Sequence, residues 1–214
     1  MMLELLYSDR AQYFAIIIVV IVSIILHELA HGWAAVKLGD DTPIETGHMN
    51  TLNPLVHMGM FSLILLAVVG IAFGAMPINP SRLRGKYAES LVALAGPAAN
   101  LLLAIVGIVA LGLWIRFGHI DPENNVARNG ELLLRYLGVM NLALLIFNLI
   151  PVPPLDGSRV AANMFPAYRR MLDSSMAQGF MIAIFFAMFM GGAKYIFIAS
   201  YYVWGEGVSA IARL

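Results

Sequence analysis

An apolar run that ends in three titratable residues constrains this chain more than any other feature. From Tyr13 to Ile25 the sequence is almost unbroken hydrocarbon, and His27-Glu28-Leu29-Ala30-His31 follows at once. A membrane-spanning helix needs about 20 mostly apolar residues, and Gln12 to Leu38 supplies them. Titratable groups inside such a helix are costly to hold in hydrocarbon, which marks them as a working site with a partner of its own. On a helix, histidines four residues apart share one face, so both imidazoles reach one zinc ion, and the neighbouring Glu28 can act on a water at that ion. A pair of ordinary buried, hydrogen-bonded histidines is the bland alternative. It leaves unexplained a glutamate placed between them among isoleucine and leucine.

Composition says which solvent surrounds the chain. Of 214 residues, 60% are hydrophobic and only 12% charged, with a mean hydropathy of +0.81. That is a polytopic membrane protein with little length left for a soluble module. With no cysteine, disulfides and thiolate metal sites are excluded, so a metal must be held by His, Asp or Glu. A net charge of zero gives no reason to expect nucleic acid or a polybasic lipid anchor. The first apolar segment is not read as a cleaved leader, because Glu4 and Asp9 precede it and no small-residue cleavage site follows.

Five or six hydrophobic segments are expected: Gln12 to Leu38, Val56 to Ala75, Ala88 to Phe117, Glu131 to Ile150, Ser175 to Met190 and Lys194 to Ile211, the last two being two short spans or one broken one. Turn-like stretches rich in Gly, Pro and Asn separate them, at Gly39 to Asn53, Met76 to Lys86 and Gly118 to Gly130. The fold class is therefore all-α, a bundle of transmembrane helices. The chain is expected to form one membrane-embedded domain over residues 1–214, with a core at 12–165 and C-terminal helices at 173–214.

A second motif, Asn148-Leu-Ile-Pro151-Val-Pro153-Pro154-Leu-Asp156-Gly157, breaks the fourth segment, since three prolines in four positions cannot continue a helix. Irregular backbone at membrane depth needs protein or a water-filled cavity around it. Alone, Asp156 reads equally well as a helix cap. Beside the first motif it is the best candidate for the third ligand that a catalytic zinc requires in addition to His27 and His31.

These motifs, together with Gly96-Pro97-Ala98-Ala99-Asn100, Thr51-Leu52-Asn53-Pro54-Leu55-Val56-His57 and Pro77-Ile78-Asn79-Pro80, resemble the site-2 protease family of zinc intramembrane metalloproteases, in its small bacterial branch without a PDZ domain. The resemblance covers residues 20–165. One departure is His57-Met58-Gly59-Met60, where that branch often carries Asp-Pro. The resemblance implies hydrolysis of peptide bonds in or near transmembrane segments of membrane-anchored proteins, in a bacterial or archaeal cell membrane. Zinc would be held by His27, His31 and Asp156, with Glu28 as the base. Asn100 and Asn148 are candidate donors to the oxyanion or substrate, or else interhelical glue. His57 is either a substrate contact or an interfacial histidine. The lipid bilayer and membrane-anchored proteins are the expected partners, and the sequence leaves the oligomeric state open. A divalent-metal transporter with the same ligands is the alternative, and Glu28 argues against it, because transport needs ligands but no general base.

If every segment spans the membrane, the helices bearing His27 and Asn148 run antiparallel and the ligands lie at different depths. Either Asp156 folds back, or Val56 to Pro80 enters and leaves on one side; the glycines and prolines of that segment favour the second.

Overall fold

The computed structural model describes residues 2–118 and 124–214. Helix α1 (Met2–Ser8) leads into α2 (Arg10–Lys37), whose N-terminus is capped by Asp9 accepting from the Gln12 N–H. Short helices α3 (Thr42–Glu45) and α4 (Pro54–His57) and the longer α5 (Gly59–Val68) come next. They are followed by α6 (Ala88–Phe117), α7 (Asn125–Asn148), α8 (Asp156–Met164), α9 (Pro166–Leu172) and α10 (Ser175–Arg213). The described residues contain no strand, and α2, α6, α7 and α10 are long and apolar enough to cross a membrane.

The surface is turned inside out relative to a protein in water. Phe14, Ile18 and Val22 form an exposed stripe along α2, while Ile16, Val20, Ser23, His27 and His31 line its buried face. Helix α10 exposes Phe180, Phe186 and Met190 and buries none of its apolar stretch. Aromatic surface on that scale is stable against lipid and costly against water. Small residues set the helix spacing: a Cβ on Gly107 of α6 would lie 2.6 Å from the Gly138 nitrogen of α7, so the two backbones meet there.

One detail differs from the sequence reading. The last two segments are one unbroken helix, α10, despite Gly191-Gly192. Each glycine costs a helix about 1 kcal/mol, whereas breaking it in lipid strands backbone groups at several kcal/mol each. Among the described residues the hydrophobic segments are accordingly four helices long and apolar enough to span a membrane and one short element. Of the turn expected at Gly118 to Gly130, residues 119–123 lie outside the described residues.

That short element is the Val56 to Pro80 segment. Ten residues of α5 rise about 15 Å, half of a hydrocarbon core. At Gly70, whose φ of +91° suits only glycine, the chain turns and returns without helix. Ser62 Oγ donates to Phe73 O at 2.7 Å and accepts from the Phe73 N–H at 2.9 Å. The Ala75 N–H donates to His57 O at 2.8 Å, so the two limbs begin and end side by side. The base is pinned to the end of α2 by Arg84 N–H to Leu38 O at 2.8 Å and by Asp40. Asp40 is fully buried and accepts from Thr42 Oγ1 at 2.5 Å, Thr42 N–H at 3.1 Å and Asn79 N–H at 2.7 Å. Burial opposes its charge, yet these hydrogen bonds hold the carboxyl below the usual range. With this segment entering and leaving at one end, α2 and α7 run parallel.

Candidate metal centre

The i, i+4 spacing does locally what it predicts: His27 and His31 sit on the buried face of α2, their Nε2 atoms 3.0 Å apart. Ten residues, or about 15 Å, separate His27 from Lys37 at the end of the helix, which puts the pair deep in the span.

Asp156 arrives by an economical route. Asn141 of α7 bonds Ser23 of α2 at 2.8 Å, so the two helices are in register there. Helix α7 then ends seven residues later at Asn148, level with residue 30 of α2. The chain thus leaves α7 at the depth of the histidines. The proline-containing stretch bends tightly, with Leu155 N–H on Val152 O and Ser158 N–H on Leu155 O. Gly157 packs against the backbone just beyond the end of α7, where a Cβ would lie 2.6 Å from Ile150 O. Asp156 opens α8 yet makes no capping bond there. Its Oδ2 instead lies 3.1 Å from His27 Nε2 and 3.3 Å from His31 Nε2.

The neighbouring helix completes the walls. A Cβ on Gly96 of α6 would fall 2.5 Å from His27 Nε2, so only glycine leaves room for the imidazoles. Pro97 removes the N–H due to Ala93 and opens that turn of α6. In the same turn the Val92 carbonyl accepts from His31 Nδ1 at 2.7 Å. Asn100, fully buried, presents Oδ1 to His27 Nδ1 at 2.6 Å and donates from Nδ2 to Asn141 Oδ1 at 2.8 Å.

The tautomers follow from these partners. A carbonyl only accepts, so His31 Nδ1 carries the proton, and His27 Nδ1 does likewise toward Asn100 Oδ1. In the neutral form that a metal ligand requires, this is the one ring proton, and both Nε2 atoms are lone pairs facing a carboxylate oxygen. Asp156 Oδ2 is itself buried with no hydrogen-bond partner. Three converging lone pairs repel unless a cation lies among them. Donors at about 2.0–2.1 Å from a tetrahedral zinc stand about 3.3 Å apart, against the 3.0, 3.1 and 3.3 Å measured here. Two histidines and a carboxylate are also a donor set that zinc accepts, so the residues fit the ion.

The other expected residues fall as follows. Glu28 is buried beside His27, its carboxylate against Gly74 on the returning limb, where a Cβ would lie 2.5 Å from Oε1. Asn148 is half-buried in the last turn of α7. Asn100 spends its amide on His27 and Asn141, an orienting position within the protein. His57 is 1% exposed and donates from Nε2 to Thr51 O at 2.9 Å, fastening the base of the short element. Sequence reasoning missed Asn141 and Ser23, although a lone amide inside the apolar Gly138-Val-Met-Asn141-Leu run was a visible signal.

Among the described residues, four helices long and apolar enough to span a membrane, with a buried pair of histidines, a carboxylate and a glutamate gathered between α2, α6 and α8, define a helical membrane protein with a candidate metal-binding centre. A family model described as Peptidase family M50 matches residues 118–192, which include Asp156 but not His27 or His31. The chain is 35% identical over 187 residues to "Putative zinc metalloprotease YwhC" of Bacillus subtilis, covering 81% of this chain and 83% of that one. It is 35% identical over 185 residues to "Putative zinc metalloprotease Rip2" of Mycolicibacterium smegmatis, covering 81% and 68%. To "Zinc metalloprotease MJ0392" of Methanocaldococcus jannaschii it is 28% identical over 153 residues, covering 71% and 35%. No solved structure matches. The chain belongs to peptidase family M50, the site-2 protease family.

Proposed function

We propose that the chain is a zinc-dependent intramembrane endopeptidase that hydrolyses peptide bonds in or near transmembrane segments of membrane-anchored proteins, in a bacterial or archaeal cell membrane. The observation that carries this reading is the convergence of His27, His31 and Asp156 beside Glu28 at mid-depth of the spanning helices. Zinc, when bound by the three, would supply a Lewis acid for the scissile carbonyl and lower the pKa of a water toward ~7. Glu28 takes the proton from the attacking water and returns it to the departing amine. His27 and His31 keep their Nε2 lone pairs for the metal because their Nδ1 protons are engaged elsewhere. Asn148 is the amide left to donate to the developing oxyanion without bringing another charge into hydrocarbon.

A substrate helix hides its carbonyls in its own hydrogen bonds, so segments that unwind easily at Gly, Pro or Asn are the preferred ones. The test is purification in detergent, zinc quantification and incubation with a panel of transmembrane peptides. The wild type is expected to hold about one zinc per chain and to cleave; Glu28→Gln should keep the zinc and lose cleavage. An E28Q protein as active as the wild type would overturn the mechanism.

A further inference from the structure

We infer that Asn141, which touches no metal donor, is a positioning residue that fixes the tautomer of His27 through Asn100 and thereby decides whether His27 can ligate a metal. The inference rests on the proposed reading of His27 as a ligand, and deepens it.

The chain of constraint starts at a backbone carbonyl. Leu137 O can only accept, so the Asn141 atom 2.9 Å from it is Nδ2, which also donates to Ser23 Oγ at 2.8 Å. Asn141 therefore turns Oδ1 toward Asn100, and it accepts from Asn100 Nδ2 at 2.8 Å. That in turn commits Asn100 Oδ1 to His27, 2.6 Å from Nδ1. Facing an acceptor, Nδ1 must hold the proton and Nε2 is left bare. Were Asn100 to flip, an amide N–H would face Nδ1, the proton would move to Nε2, and the donor would be lost. Asn100 cannot choose alone, because both ends of an amide can bond an imidazole, one to each tautomer. Ser23, Asn100 and Asn141 are all fully buried, so no bulk water can replace a missing partner. The relay joins α2, α6 and α7, and no sequence spacing could have announced it.

Asn141→Leu keeps the shape and removes the acceptor. Zinc affinity, measured by chelator competition on the whole protein in detergent, should fall by about 10- to 100-fold, the usual effect of losing a partner behind a ligand. Asn141→Asp, protonated at such a buried position, retains both an acceptor and a donor and should bind zinc nearly as well as the wild type. Asn100→Asp in the N141L background should restore affinity, since a carboxylate facing the His27 Nδ1 proton is held in its charged form by that hydrogen bond, unlike one facing the Leu137 carbonyl, and either of its oxygens then accepts from Nδ1. Nitrogen-15 NMR of histidine-labelled, metal-free protein gives a readout that needs no metal: His27, assigned by its loss in H27A, should be Nδ1-protonated in the wild type and shift toward Nε2-protonated in N141L. Circular dichroism checks folding, and Asn141→Ala replaces N141L if the latter does not fold. Unchanged zinc affinity and tautomer in the loss variant would overturn the inference, as would equal losses in N141L and N141D with no rescue by N100D. Wild-type protein that binds no zinc but shows the predicted tautomers would instead count against the proposed function and leave the relay standing.

Discussion

Gly96→Ala adds one methyl group at the point where α6 faces both imidazoles. The new Cβ would lie 2.5 Å from His27 Nε2 and Cε1, and it would also press on His31 Nε2. Non-bonded atoms settle at about 3.5 Å, so the overlap is about 1 Å and touches both rings at once. Neither ring can turn aside, because His27 Nδ1 is held by Asn100 and His31 Nδ1 by Val92. The helices must separate or the donors must shift. Overpacking of this kind costs about 1–3 kcal/mol, partly offset by the 0.5–1 kcal/mol that alanine gains over glycine in a helix. The net loss of stability is thus small, on the order of 1 kcal/mol. Displacing catalytic groups by ~1 Å, in contrast, costs about 100-fold in rate. Gly96→Ala should therefore remain folded by circular dichroism while losing zinc in chelator competition and cleavage of transmembrane peptides. Gly179→Ala in α10, where a Cβ meets nothing within 4 Å, is the control and should change neither. A folded G96A protein with wild-type zinc affinity would refute the reasoning, because it would mean that the imidazoles do not occupy the space beside Gly96.

Two further outcomes are expected. Asp40→Asn turns an amide N–H toward donors that now meet a carboxylate and should destabilise the protein by about 1–3 kcal/mol. Because the folded-state pKa of Asp40 lies below the ordinary value of about 3.9, its stabilising effect is present above that ordinary value and is lost as pH falls through the lowered one. The wild type should consequently lose thermal stability in acid more steeply than D40N, and parallel curves would refute the assignment. Single cysteines at Lys37 and Lys86, introduced into a chain that has none, should label from the same face of sealed, oriented vesicles with a membrane-impermeant reagent; opposite labelling would show that Val56 to Pro80 crosses the membrane.

The sequence by itself determined whatever depends on local geometry and on the solvent. Hydrophobic length gave the spanning helices, since lipid forces each backbone group to bond within its own segment. Four-residue spacing put His27 and His31 on one face, since a helix turns every 3.6 residues. The glycines and prolines between Val56 and Pro80 marked a segment that turns back, and Gly70 is where it does so. Tertiary structure decided how distant residues meet. Asp156 reaches the histidines because α7 stops short at their depth, a register set by its contact with Ser23 and invisible in the hydrophobic pattern. Gly96 is in the sequence only one glycine of a motif, and in the structure it is the space into which the imidazoles fit. Asn100, legible in the sequence either as a donor to substrate or as interhelical glue, bonds His27 of α2 and Asn141 of α7, and His57, legible either as a substrate contact or as an interfacial histidine, bonds Thr51. An amide in an apolar run announces that it has a partner, but its direction and its partner are properties of helix packing, and in hydrocarbon only packing can supply them.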